Sequence, residues 1–262
     1  MRTTVLIQSL LLVAMLLSCP MLDARASATV SAYVAPWEVA VHVSLVGVNA
    51  SFYDLARMHA EAFNETTVPE AIKAFLAEKG LEDIYYRDAS LSFNDTSRSI
   101  RLSFVLAGGD LMDFRYNKTD MSRIYELRAD WRRADVTVKS GEESFKLNFS
   151  SYFGAPLQEW EEGEYEVAPG DVRCSLFLNS TVEDKLFGNA TAWAFWRFVF
   201  PRGAEVLKAR GDFVTFRLPP EPLDLFMASP FWPLLAIFVV VGVAIAYRRA
   251  AVKLVKPAGE EG

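Results

Sequence analysis

The sequence predicts an α+β protein: a largely antiparallel β-sheet ectodomain with two short N-terminal helices, followed by one C-terminal transmembrane helix. Three observations carry this reading. Apolar and polar residues alternate with period two in segment after segment between Trp37 and Leu218, the pattern of half-buried strands. Two stretches with helical spacing, 52–63 and 67–80, interrupt that pattern early. A long uncharged run, 230–247, stands near the end and is followed at once by basic residues.

The elements follow in order. Over Trp37 to Val48, Val39, Val41, Val43 and Leu45 take one face, with Glu38, Ala40, His42 and Ser44 opposite. Phe52, Leu55, Ala56, His59 and Phe63 then recur at helical spacing. Thr67-Val-Pro-Glu70 has the form of a capping box with proline in the first turn, opening a helix that stops at Gly80. Ser90–Phe93 and Ile100–Leu106 flank Asn94-Asp-Thr-Ser as a hairpin. Leu111–Tyr116 and Arg123–Arg133 flank Asn117-Lys-Thr-Asp likewise, with Tyr125, Leu127, Ala129 and Trp131 inward and Arg128, Asp130 and Arg132 outward. Phe145, Leu147 and Phe149 alternate with Asn148 on the solvent side. Trp193 to Phe200 is apolar on both faces, as a central strand is. Val206–Ala209 and Asp212–Leu218 close the domain around an Arg210-Gly211 turn.

The two ends set the expected topology. Arg2, the apolar stretch Val5–Leu17 and the overlapping small-x-small sites Ala24-Arg-Ala26 and Ala26-Ser-Ala28 read as a secretory signal over 1–28. A glycosylated extracytoplasmic ectodomain is expected over 29–218 and a proline-rich stalk over 219–229. A transmembrane helix is expected over 230–247, then a basic cytoplasmic tail over 248–262 carrying Arg248, Arg249, Lys253 and Lys256. The expected location is the cell membrane, single-pass, with the ectodomain outside and the C-terminus cytoplasmic.

Charge and cysteine use narrow the function classes. Setting aside two basic residues and one acidic in the signal, and four and two in the tail, leaves 21 basic and 30 acidic residues. A net −9 argues against nucleic acid as a partner. Cys19 lies in the signal, so Cys174 is the single cysteine of the expected mature chain and no internal disulfide can form.

The asparagines are the most specific signal. All seven stand in N-x-S/T sequons without proline: Asn49, Asn64, Asn94, Asn117, Asn148, Asn179 and Asn189. Serine and threonine make up 30 of 262 residues. Chance alone would place a hydroxyl behind all seven on the order of once in several million sequences under the acceptor rule. These residues are the expected glycosylation sites, with N-linked glycans as partners. Asparagine occurs nowhere else, and glutamine only at Gln8 and Gln158, a depletion of labile amides typical of thermophiles. In layout and composition the chain resembles the single-pass surface glycoproteins of hyperthermophilic archaea, a resemblance that carries no functional residue across.

No catalytic signature is present: HExxH, GxSxG, P-loop, GxGxxG and EF-hand patterns are all missing from the sequence. His42 and His59 read as packed or surface histidines rather than ligands. Cys174 has no adjacent base to make it a nucleophile. Glu159 to Asp171 is a run of carboxylates around Trp160 and Tyr165, expected as a solvated loop. The expectation is therefore no enzyme, no catalytic or metal residue and no cofactor. The leading reading is a membrane-anchored extracytoplasmic envelope component or accessory subunit of a membrane complex. The alternatives are a tethered ligand-binding module and, third, a hydrolase. Partners are expected to be the lipid bilayer and, through the sequon-free aromatic region after Asn189 with Arg197 and Arg202, another membrane protein.

Overall fold

The computed structural model describes residues 26–58, 67–78, 80–140, 143–229 and 231–255. Alternating small and branched residues form β1 (Ser27–Ala35), the first element of the described residues, which turns at Pro36-Trp37 into β2 (Glu38–Val46). Helices α1 (Ala50–Met58) and α2 (Thr67–Glu78) follow. Next come the hairpins β3 (Tyr85–Asn94) with β4 (Ser99–Ala107) and β5 (Met112–Tyr116) with β6 (Arg123–Arg128). After a 3₁₀ turn at Asp130–Arg133, β7 (Asp135–Ser140) and β8 (Glu143–Asn148) pair and lead into α3 (Phe149–Phe153). The chain continues through β9 (Glu161–Ala168), β10 (Asp171–Asp184), β11 (Ala190–Val199), β12 (Glu205–Arg210) and β13 (Phe213–Leu218). Helices α4 (Pro222–Ala228) and α5 (Phe231–Val255) end it.

The strands form a seven-stranded sheet in the order β3-β4-β2-β1-β11-β10-β9, a four-stranded sheet β12-β13-β6-β5 and the β7-β8 pair. Among the described residues all pairings are antiparallel except that of β1 with β11, which run parallel from Ser27 opposite Trp193 to Tyr33 opposite Val199. The large sheet is thus mixed. Its inner face presents Ala28, Val30, Ala32, Val39, Val41, Ala194, Trp196 and Phe198, all buried. The second layer is aromatic. Trp131 packs on Trp196 at 5.5 Å between ring centroids, Trp160 on Phe198 at 5.6 Å, and Phe200 on Phe216 at 5.2 Å. Each such ring contributes on the order of 2 kcal/mol by leaving water, which lets a domain without a disulfide hold together.

Several expectations are corrected. Among the described residues no helix is long and apolar enough to cross a membrane, so the transmembrane helix expected over 230–247 does not belong to the fold class. Helix α5 does not stop at Tyr247 but runs on through Arg248, Arg249 and Lys253 to Val255. The stalk contains a helix: α4 opens at Pro222, with the Glu221 amide donating to Asp224 Oδ2 at 2.8 Å.

The strand expected over Arg123–Arg133 ends at Arg128. Beyond it the chain coils into the 3₁₀ turn, and the Trp131 indole N–H donates to the Arg128 carbonyl at 2.8 Å. The turn buries Trp131 and also swings Arg132, expected outward, to 1% exposure. The carboxylate run is not a loop. Glu161–Ala168 is the edge strand β9, paired with β10 from Phe177–Glu161 to Asp171–Ala168. Exposed charges on an edge strand discourage further strand pairing, which explains why the segment looks solvated yet extends.

Candidate functional site

The residues with catalytic potential do not converge. Among the described residues, no group of three or more His, Cys, Asp or Glu is placed to hold a metal ion. His42 is exposed on the outer face of β2 and meets the Tyr33 ring edge-on at 5.6 Å; His59 lies outside the described residues. Cys174 is partly buried on β10, and burial pushes its thiol above the ordinary value.

Six of the seven sequon asparagines are described, and Asn64 lies outside the described residues. None of the six is buried: Asn94, Asn179 and Asn189 are exposed, and Asn49, Asn117 and Asn148 are partly so. At three of them the local geometry repeats. Asn49 Oδ1 accepts the Ser51 amide at 2.9 Å, Asn94 Oδ1 the Thr96 amide at 3.1 Å and Asn117 Oδ1 the Thr119 amide at 3.1 Å. Each is an Asx turn closed on the sequon's own hydroxyl residue. It draws hydroxyl and carboxamide together and engages the oxygen rather than the nitrogen that would carry a sugar.

Asn148 differs. Oriented for hydrogen bonding, its Nδ2 donates to Asp135 Oδ1 at 2.8 Å. Asn49, Asn148 and Asn189 also share one open cleft of about 940 Å³, whose wall is completed by Phe52, Asp184 and Lys185. Helix α1 brings Asn49 to it, the β8–α3 junction Asn148, and the turn before β11 Asn189. These three lie far apart in sequence, and only the fold groups them.

The aromatic segment expected to dock a partner is divided by the strand pleat. Trp196, Phe198, Phe200 and Phe216 are core. Trp193, Phe195 and Arg197 face the opposite way, on the outer face of the large sheet, where Trp193 is 41% exposed. There the rings form a ladder along β11. Trp193 stacks on Phe195 at 5.1 Å with 22° between planes, and Phe177 of β10 lies 5.9 Å from Phe195. Arg197 continues the ladder, its Cζ 4.6 Å from the Phe195 centroid and 4.4 Å from that of Tyr165 on β9. Its Nε is enclosed without a hydrogen-bond partner.

Arg173 beside it is neutralised by Asp171 at 2.6 Å. That bond holds the Asp171 carboxyl below the usual range and raises Arg173 above its own. The sequon residue Asn179 stands on the same face, opposite Phe195 in register, and its Oδ1 accepts the Trp193 indole N–H. The sequence alone does not sort these aromatics, because the sorting depends on which face the sheet buries. No protein-family model, no curated protein and no solved structure matches this chain.

Proposed function

We propose that this chain is a non-enzymatic, N-glycosylated extracytoplasmic protein, serving as an envelope component or as an accessory subunit of a membrane complex. The observation that supports it most is the repeated Asx turn at Asn49, Asn94 and Asn117, which engages each sequon's oxygen and leaves its amide nitrogen for a sugar. Every described sequon asparagine also has surface access. A chain selected only for stability has no reason to confine asparagine to such positions.

Capture of a small ligand in a pocket is less well supported. The 940 Å³ cleft is lined by three sequon asparagines, so glycans attached there would crowd the space a ligand needs. Glycopeptide mass spectrometry of the protein isolated from its native host tests the proposal. Sugar is expected on most of the seven sites, with Asn49, Asn94 and Asn117 among them. A chain carrying no N-linked sugar would overturn the proposal.

A further inference from the structure

We infer that the glycan on Asn179 does not project into solvent but lies along β11, its first sugars packed on Trp193 and Phe195 and its far end against Arg197. The inference rests on the glycosylation reading above and adds what the sugar does at one site.

Placement is the first argument. Asn179 and Phe177 leave β10 on the outer face, with Phe195 and Arg197 directly opposite them on β11. β9 pairs with β10 only as far as Phe177, so the strand is open on its other side where Asn179 emerges. Thr181, the sequon hydroxyl, lies two residues on and opposite Trp193, hence on the same face.

Chemistry is the second. The Trp193 indole N–H donates to Asn179 Oδ1, which fixes the carboxamide beside the ring and leaves Nδ2 as the attachment atom. A sugar joined there starts within contact of the indole. The apolar C–H faces of pyranose rings pack on aromatic faces, which carry a negative quadrupole. From Trp193 to Arg197 the ladder is on the order of 14 Å long at about 3.4 Å per residue, the length of a short oligosaccharide. At its end Arg197 is held flat between Phe195 and Tyr165, and among the described residues no carboxylate pairs with it. Its terminal Nη groups, unlike the enclosed Nε, are therefore free for sugar hydroxyls or the carboxylate of an acidic sugar.

Beside Trp193 and Phe195 this outer face carries Ser27, Thr29, Ser31 and Ser44, and beyond Arg197, at the end away from Asn179, the rings run on to Tyr33 of β1, 6.5 Å from Tyr165 and 5.6 Å from His42. Among the described residues, the ring and cation contacts of Trp193, Phe195 and Arg197 are with one another and with Phe177 and Tyr165. A tethered glycan faces this ladder at an effective concentration in the millimolar range. A free ligand must in addition give up its translational freedom.

The test is hydroxyl-radical footprinting read by mass spectrometry on the full glycosylated chain, comparing the native protein with Thr181→Ala and Thr181→Ser. Alanine removes the acceptor; serine retains it while removing the same methyl group. Oxidation of Trp193 is expected to rise roughly threefold in Thr181→Ala as the ring loses its cover, to stay native-like in Thr181→Ser, and to leave Trp37 unchanged throughout. Equal oxidation of Trp193 in all three proteins, with Asn179 shown to be glycosylated in the native one, would overturn the inference and leave the glycosylation reading intact. An unmodified Asn179 in the native protein would overturn both at this site.

Discussion

Arg132 and Asp212 meet inside the protein, with Nη1 of the guanidinium 2.8 Å from Oδ1 of the carboxylate. The pair ties the 3₁₀ turn after β6 to the tip of the β12–β13 hairpin. Arg132 also donates to the Ala129 carbonyl at 2.8 Å and the Ala155 carbonyl at 3.1 Å, and it lies over the Trp160 ring. Its side chain is fully enclosed, whereas that of Asp212 is 31% exposed. Burial holds the Arg132 guanidinium below its usual pKa, and Asp212 opposes that shift.

Removing the carboxylate leaves a buried cation without its counter-charge. Asp212→Ala is expected to cost about 3 kcal/mol, the low end for breaking a buried pair because Asp212 is partly wet. In a domain of this size that lowers Tm by roughly 6–12 °C in a calorimetric scan. Glu205→Ala, which breaks the exposed Glu205–Arg217 pair, serves as the control and should leave Tm close to native.

Acid should unfold the protein only below about pH 4. Among the described residues, four carboxyls are held below their ordinary value of 3.8: Asp95 by Arg57, Asp120 by Ser122, Asp171 by Arg173 and Asp224 by the Glu221 amide. A depressed carboxyl stabilises the fold fully above its unfolded value, and that contribution is lost as pH falls through the folded one. Tm measured against pH is therefore expected to be flat from 7 to 5 and to fall below 4. A midpoint that drops between pH 6 and 5 would contradict this.

Cys174 should be a slow thiol. Burial keeps it protonated at neutral pH, and the thiolate is the reactive form. Labelling by a soluble thiol reagent at pH 7 should be slow in the folded protein and fast in denaturant. Rapid labelling without denaturant would show that the thiol is activated.

If the segment before β1 is removed as a secretory signal, the mature N-terminus is expected at Ser27. β1 begins there, Ser27 is in register with both Val46 and Trp193, and Ala28 is fully buried. Cleavage after Ala26 keeps every strand residue and gives up the bond from the Trp193 amide to the Ala26 carbonyl, 2.9 Å, whereas cleavage after Ala28 removes two paired residues as well. N-terminal sequencing of the native protein decides between the two sites.

Among the glycosylation sites, Asn148 should carry the least sugar. Its Nδ2 is engaged by Asp135, a bond that attachment would disturb. Quantitative glycopeptide analysis should place its occupancy below that of Asn94 and Asn117, and Asp135→Ala should raise it. Full occupancy of Asn148 in the native protein would contradict the ranking.

The hairpins around Asn94 and Asn117 were legible without coordinates, because period-two alternation and turn residues are local signals separated by only a few positions. β1, β9 and β10 were not. β1 follows a leader-like segment and mixes small with branched residues. β9 hides its alternation under carboxylates, and β10 carries polar residues on a face that needs no core.

What the sequence by itself determined is therefore the local and the chemical: which segments alternate, which two coil, and that asparagine occurs only where a sugar can be attached. Tertiary structure decided everything that depends on strands far apart in the chain. It set the parallel match of β1 with β11, which fixes the face of β11 that becomes core and leaves Trp193, Phe195 and Arg197 outside. It turned Arg132 inward and gathered Asn49, Asn148 and Asn189 around one cleft. The physical reason is common to all three. Alternation shows that a strand has two unlike faces, but the free energy that chooses the buried one comes from non-local burial, and no short window of sequence contains it.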